Sequence, residues 1–313
     1  MTGREGSIRS GAGTRSAVNA PHEIVGPTAS YAVTGATGHL GRLAVDDLLR
    51  RGIPASNVFA LVRDPSRAED LAALGVGIRE ADYDRPETLE GALEGIERLL
   101  FVSGSEAGRR EPQHSAVIRA AAAADVGYIV YTSVVHADSS DLALAPEHAA
   151  TEQMLEDSGI PWAAARNSFY TEVYTARLDQ YLGQGEIVGA AGEGRIALAT
   201  RADYAEAAVA LLTGDMADAV GIHELGGPAV TMTELARTIT EATGTTVGYR
   251  DVTEEELAAS MAEQGLDEGT ARFVASLDAS IAGGALDAAP DELIRLLGRD
   301  PTSVADAVRA ARL

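Results

Sequence analysis

The chain has no cysteine and no lysine; all 25 of its basic residues are arginine. Without cysteine there is no disulfide, no thiolate metal site and no thiol nucleophile, a composition that fits a cytoplasmic protein, and no metal site is expected. Without lysine, any proton chemistry has to be performed by other groups, and the six histidines are the only side chains that titrate near neutrality. Aromatic residues make up 4% of the chain, so its core is built from Ala, Val, Leu and Ile. No apolar run approaches the roughly 18 residues needed to cross a bilayer, which sets membrane partners aside. A formal net charge of −22, with scattered arginines, repels phosphate backbones and excludes a nucleic-acid partner.

What remains is an acidic chain of 313 residues with 46% apolar residues and a mean hydropathy of −0.01, long enough for one large or two modest domains. Residues 1–28, rich in Gly, Ser, Thr and Arg, read as a disordered leader with no secretory signal. From Ser30 short β-branched or apolar runs alternate with longer segments of helical period, the pattern of βαβ units around a parallel sheet. Strands are expected at Tyr31–Thr34, Val58–Val62, Val76–Glu80, Arg98–Val102, Tyr128–Thr132 and Trp162–Arg166. Helices are expected near His39–Arg50, Arg67–Leu74, Pro86–Leu93, Glu111–Ala124 and Pro146–Asp157. The fold class is therefore α/β, a doubly wound Rossmann sheet over residues 29–167. Residues 168–313 form a smaller C-terminal α/β lobe, with segments around 187–225 returning to the first. In that half, helices are expected near Tyr170–Leu182, Asp203–Leu212, Thr233–Ala242, Glu254–Glu263 and Pro290–Leu297, with glycine-rich turns over Gly183–Gly194.

The first strand runs into Thr34-Gly35-Ala36-Thr37-Gly38-His39-Leu40-Gly41, a G-x-x-G-x-x-G spacing that opens directly into a helix. The glycines let the backbone approach a pyrophosphate, Gly41 lets the helix close on the sheet, and the helix N-terminus offers N–H groups and partial positive charge. Arg63, at the end of the second strand, suits the 2′-phosphate of NADPH, whereas the neighbouring Asp64 suits the 2′-hydroxyl of NADH. Arg63 makes NADPH the expected cofactor and NADH the lesser one. Asp82 and Tyr83 after the third strand are placed to meet adenine. Ser103, Gly104 and Ser105 after the fourth provide small residues beside ribose and nicotinamide; plain polar loops account for these positions equally well.

The fifth strand ends in Tyr131-Thr132-Ser133, and the helix beginning at Pro146 starts at the same carboxyl edge. At about 100° per residue its buried arc centres on Met154 and Leu155, with Glu147, His148 and Thr151 on or near that arc one to two turns earlier. His148 has an unperturbed pKa near 6.5 that suits proton transfer, and Glu152 at i+4 stands where it would orient the ring. A hydrogen-bonded structural histidine is the alternative.

The glycine loop, Val62-Arg63-Asp64-Pro65, Ser103-Gly104-Ser105-Glu106, Tyr131-Thr132-Ser133 with His136-Ala137-Asp138, Glu147-His148 with Thr151-Glu152, Arg166-Asn167 with Tyr170, and Ala199-Thr200-Arg201-Ala202-Asp203-Tyr204 together resemble the atypical, NmrA-like short-chain dehydrogenases, in their bacterial quinone-reductase branch. The resemblance runs from about Ser30 to the C-terminus and includes Gly298-Arg299-Asp300-Pro301-Thr302. It implies a Rossmann lobe holding NADPH, a smaller lobe, and a cleft between them where hydride passes to a quinone or similar flat, electron-poor acceptor. It sets Ser133 at the serine of standard short-chain dehydrogenases and His148 near their tyrosine or lysine; the Tyr-x-x-x-Lys pair itself is absent. Asn167 then holds the nicotinamide amide, Thr132 lies beside it, and Tyr170 with Phe169 walls the acceptor, so that His148, Ser133 and Tyr170 form the candidate catalytic set. Two alternatives stand beside this: a non-catalytic NADP(H)-binding redox sensor and a dedicated biosynthetic tailoring reductase. A monomer or a homodimer is expected.

Overall fold

The computed structural model describes residues 28–312, so the leader read over residues 1–28 lies, apart from Thr28, outside the described residues. The first lobe runs β1 (Tyr31–Thr34), α1 (His39–Arg50), β2 (Val58–Val62), α2 (Glu69–Ala73), β3 (Gly77–Glu80), α3 (Pro86–Leu93), β4 (Arg98–Phe101), α4 (Arg110–Ala123), β5 (Tyr128–Val134), α5 (Ala145–Ser158) and β6 (Trp162–Asn167). Then come β7 (Phe169–Tyr170), α6 (Glu172–Thr175), α7 (Leu178–Gln184), β8 (Glu186–Gly189), β9 (Arg195–Ala199), α8 (Arg201–Thr213), α9 (Met216–Ala219), β10 (Gly221–Leu225) and β11 (Ala229–Thr231). The chain closes with α10 (Met232–Thr243), β12 (Gly248–Asp251), α11 (Glu254–Glu263), α12 (Glu268–Ala282), α13 (Asp291–Leu297) and α14 (Val304–Ala310).

Seven parallel strands form the main sheet in the order β10-β6-β5-β4-β1-β2-β3. β1, β4 and β5 are buried along their whole length because helices cover both faces of the sheet, which is why they read as unbroken apolar runs rather than alternating ones. One face packs against α1, α8 and α13 through residues such as Leu48, Leu212 and Leu293. The other packs against α3, α4 and α5 through Leu93, Val117 and Leu155. The strand order reverses between β1 and β4, so a crevice opens at their carboxyl ends.

The smaller lobe has its own core around Tyr174, Ile196, Leu198, Leu235, Ile239 and Ile281. Two small sheets support it, β11-β9-β7 and β12-β8. Residues 186–199 lie in these small sheets, whereas α8 packs on α1 and β10 joins the edge of the main sheet beside β6.

Several boundaries differ from the sequence reading. The main sheet has a seventh strand, β10, whose short polar segment Gly-Ile-His-Glu-Leu carries no strand pattern of its own. The helix expected over Tyr170–Leu182 is interrupted: Phe169–Tyr170 pairs with β9, and Arg177, at φ −105° and ψ 12°, separates α6 from α7. The turns over Gly183–Gly194 contain β8, and the helix expected at Arg67–Leu74 is a 3-10 turn over Pro65–Ala68 followed by α2. α12 and α14 went unread; each starts on a side-chain cap, Asp267 and Ser303 respectively.

Candidate active site

The glycine loop leaves β1 with Gly35 at φ +58°, a conformation that favours glycine, and its carbonyl accepts the Gly38 N–H at 2.8 Å. A Cβ on Gly41 would stand 2.4 Å from the Gly35 carbonyl oxygen, so α1 approaches the loop as closely as backbone allows. No side chain caps α1 at Gly38, and its first turn carries no acidic residue. Gly35, Gly38 and His39 are exposed, Thr37 is half-buried, and Leu40 anchors the turn in the core. An exposed, uncapped helix N-terminus with no side chain in front of its N–H groups is a cradle for a phosphate, and the residues present fit a dinucleotide.

Arg63 at the end of β2 is two-thirds exposed, with Glu106 of the loop after β4 at 3.7 Å. Asp64 caps the 3-10 turn instead, its Oδ1 accepting the Ser66 N–H at 3.0 Å and the Ser66 hydroxyl at 2.7 Å. Both residues competing for the ribose are exposed, but the Asp64 carboxylate is already engaged by Ser66 whereas the Arg63 guanidinium has only the distant Glu106 beside it. After β3, Asp82 holds Arg85 and the Asp84 N–H in a local turn. The half-buried Tyr83 places its hydroxyl 2.5 Å from Thr34 Oγ1 and 2.9 Å from the Val102 carbonyl, tying together the ends of β1 and β4. Tyr83 is thus a strut beneath the crevice, and burial pushes its hydroxyl pKa upward.

The Ser103-Gly104-Ser105 loop is held from behind by α4 and α5. The Ser103 N–H donates to Thr132 Oγ1 at 2.9 Å. Gly104 is gripped at both ends: its N–H donates to His114 Nε2 at 3.0 Å, and its carbonyl accepts from Arg110 Nε at 2.8 Å. His114 Nδ1 lies 2.8 Å from Thr151 Oγ1, whose hydroxyl is 2.8 Å from the Glu147 carbonyl. A ring that accepts at Nε2 is neutral with its hydrogen on Nδ1. Burial, with Arg110 beside it, lowers the His114 pKa to about 3, which agrees with that tautomer. Arg110 also pairs with Glu147 at 2.7 Å, and Glu147 Oε1 takes the Gly108 N–H at 2.8 Å.

His148 is 5% exposed and its Nδ1 lies 2.8 Å from the Tyr131 hydroxyl. Burial above all, then Arg110 and His114, lowers its pKa to about 3. Glu152 does not orient His148, contrary to the i+4 expectation. Its Oε1 accepts from Ser133 Oγ at 2.6 Å and from Arg166 Nε at 2.9 Å, and its Oε2 accepts from Arg166 at 2.5 Å. Arg166 further reaches Glu224 Oε1 at 2.8 Å and Asp138 Oδ2 at 3.3 Å. Burial works against the Arg166 cation, but the hydrogen bonds it donates to Glu152 and Glu224, with their negative charge, outweigh it and raise its pKa. Ser133 of β5 and His148 of α5 therefore sit in two separate networks, one closed by Glu152 and Arg166 and the other by Tyr131.

At the end of β6, Asn167 is 3% exposed, and among the described residues neither its Oδ1 nor its Nδ2 closes a hydrogen bond. The Tyr170 hydroxyl feels the amide, which counters part of the upward push of burial on its pKa. Tyr170 is half-buried between the Tyr204 ring, edge-on at 5.6 Å, and the Arg201 guanidinium at 4.8 Å. Apart from this contact with the Tyr170 hydroxyl the buried amide has no partner among the described residues, and an amide end left unpaired in such a place costs about 1–3 kcal/mol unless a ligand completes it. It has the donor and acceptor that a carboxamide requires.

The structure thus sets Gly35, Gly38, His39, Arg63, Ser103, Gly104, Ser105, Thr132 and Asn167 around one carboxyl edge, places Tyr83, His148 and Ser133 in networks behind it, and leaves Asp82 in a local turn after β3. Sequence reasoning passed over Arg110 and His114, which stand one helical turn apart on α4 and face Gly104.

The family described as NAD(P)H-binding matches residues 35–215. Quinone oxidoreductase 2 of Escherichia coli is 43% identical over 278 residues, covering 88% of this chain and 96% of that protein. An NmrA-like family domain-containing oxidoreductase of Aspergillus flavus is 30% identical over 289 residues, covering 89% of this chain and 94% of its own. Among solved structures, the NADPH-dependent quinone oxidoreductase of Escherichia coli complexed with NADPH superposes with a TM-score of 0.86 at 42% identity, covering 90% of this chain and 100% of that one. The glycine cradle, the Rossmann strand order and these likenesses agree: the chain belongs to the NAD(P)H-binding family, among the NmrA-like short-chain dehydrogenases.

Proposed function

We propose that the protein is an NADPH-dependent oxidoreductase that reduces a quinone or a similar flat, electron-poor acceptor. The observation that carries this is the buried Asn167 amide, incompletely paired and beside the Tyr170 hydroxyl at the end of β6, on the same carboxyl edge of the sheet as the uncapped start of α1. Likeness over nearly the whole chain to a quinone oxidoreductase complexed with NADPH supports both the cofactor and the acceptor class. In this reading the N-terminus of α1 takes the pyrophosphate, Arg63 the 2′-phosphate, the Ser103–Ser105 loop the ribose, and Asn167 the carboxamide. The bound dihydronicotinamide supplies the hydride.

The chain's own residues position and exclude water more than they move protons. His148 is neutral at pH 7, with its Nδ1 against the Tyr131 hydroxyl. Ser133 gives its hydrogen to Glu152, so its Oγ offers lone pairs rather than a proton. That suits an acceptor whose reduction leaves an aromatic hydroquinone anion of modest basicity, for which solvent is a sufficient proton source. Tyr170 and Phe169 supply aromatic surface beside Asn167.

NADPH oxidation by the purified protein, followed at 340 nm with 1,4-benzoquinone and 1,4-naphthoquinone, tests the reading. Turnover with NADPH well above that with NADH is expected. NADPH binding without turnover on a broad acceptor panel would overturn it in favour of a redox sensor.

A further inference from the structure

A cleft of about 450 Å³ opens between the loop that follows β5 and the C-terminal half of α12. Its β5 side begins at His136, whose backbone lies in the left-handed region at φ 55° although it is not glycine. Such a conformation persists only where the surroundings impose it, and it gathers at functional sites. Here the His136 N–H is held by Glu224 at 3.1 Å, and Glu224 belongs to the Arg166 cluster that also fixes Glu152 and, through it, Ser133. The cleft wall is thus built onto the carboxyl edge of β5, β6 and β10.

The lining is rich in hydrogen-bond acceptors and poor in donors. Ser139 points its hydrogen at Asp138, Ser276 at the Phe273 carbonyl and Ser280 at the Ser276 carbonyl, so each turns lone pairs outward. His136 commits its Nε2 hydrogen to the Asp287 carbonyl at 2.9 Å, so that donor is not available to the cleft. Ser140 differs, accepting the Leu142 N–H and keeping its hydrogen. Asp141 and Glu254 add two exposed carboxylates, neither in an ion pair among the described residues, and no arginine lines the space.

We propose that this cleft is the acceptor-side pocket and that it selects flat acceptors bearing positive charge or hydrogen-bond donors, while turning away anionic ones. The proposal rests on the quinone-reductase reading for its chemistry and on the lining for its selectivity. An anionic substituent there meets like charge and lone pairs with little to pair with, whereas a cationic one is drawn in by Asp141 and Glu254.

Three naphthoquinones with the same ring test it, each carrying its substituent on a methylene spacer: a quaternary ammonium, a methyl group and a sulfonate. At low ionic strength kcat/KM is expected to fall in that order, spanning roughly tenfold between the charged extremes, and to converge in 0.5 M salt. The Asp141→Asn, Glu254→Gln double variant, with NADPH binding checked as a measure of fold, should shrink the cationic-to-anionic ratio severalfold. Equal kcat/KM for the two charged quinones at low salt, or a ratio unmoved in the double variant, overturns the proposal. If no quinone is reduced, equilibrium titration of the ammonium and sulfonate compounds still decides it. Binding of the cation that weakens in the double variant upholds the pocket while the quinone reading falls, and equal binding of both ions overturns the pocket as well.

Discussion

Arg110 and Glu147 form a largely buried ion pair at 2.7 Å that joins the first turn of α4 to the first turn of α5. Both residues also hold the loop after β4, Arg110 at the Gly104 carbonyl and Glu147 at the Gly108 N–H. Removing one partner strands the other charge in a nearly dry site. Glu147→Gln is therefore expected to cost about 3 kcal/mol in urea unfolding and to raise the KM for NADPH several-fold. Glu147→Gln with Arg110→Met should regain part of the stability but not the cofactor affinity, because Gly104 is still released. Recovery of both would mean that the pair serves stability alone.

The two neutral histidines behind that loop give a pH dependence of definite sign. His114 and His148 both have pKa values lowered by burial to about 3 in the fold, whereas an unfolded histidine titrates near 6.5. Between those values the unfolded chain binds protons that the native chain does not, so stability falls as pH falls through this window and is unaffected above it. Each histidine contributes a slope of up to about 1.4 kcal/mol per pH unit. Unfolding midpoints at pH 7, 5.5 and 4.5 should drop more steeply for the wild type than for His148→Gln. The kcat of that variant is expected to keep the wild-type pH profile between 6 and 8. A kinetic pKa near neutrality that disappears in the variant would restore His148 as a proton donor.

Much of the first lobe was legible because its signals are local. The apolar runs of β1, β2, β4 and β5 and the stop at Gly159, where φ is +72°, lie within a few residues of what they determine. The glycine loop is legible for the same reason. β10 was not, since its His223 and Glu224 look solvated until Glu292 and Arg166 arrive from 69 and 58 residues away. His148 illustrates the same limit at the site. Helical periodicity turned it inward, but only the packing of α4 over it decides that the inward place is dry. The hold that α5 has on the loop after β4 is hidden as well: Glu147 reaches Gly108 across 39 positions with no motif to mark it.

Arg166 is the one cation among Glu152, Glu224 and Asp138, and it is itself almost wholly buried. Arg166→Met leaves a carboxylate cluster with nothing to balance it, and a loss of about 3–5 kcal/mol at pH 7 is expected. Protonating the stranded carboxylates relieves the repulsion, so the variant should gain stability from pH 7 to pH 5 while the wild type loses it. Parallel pH profiles for the two proteins in chemical unfolding would mean that the cluster is solvated enough to need no counter-ion.

Arg63 offers the cleanest separation of cofactor recognition from everything else, because its side chain is two-thirds exposed and its ion-pair partner among the described residues, Glu106, stands at 3.7 Å, too far for a strong bond. Replacing it by alanine removes little from the fold. A guanidinium on a phosphate is worth about 1.5–3 kcal/mol, so Arg63→Ala should raise the KM for NADPH roughly tenfold to a hundredfold. The KM for NADH, which has no 2′-phosphate, should stay within about twofold, and kcat should change little once either cofactor saturates. Glu106→Gln is expected to move the other way, lowering the KM for NADPH by freeing Arg63 from a competing carboxylate. Steady-state kinetics of both variants with both cofactors decide the matter. An equal loss for NADH and NADPH in Arg63→Ala would place the 2′-phosphate elsewhere, with Arg109 of the same loop the next residue to test.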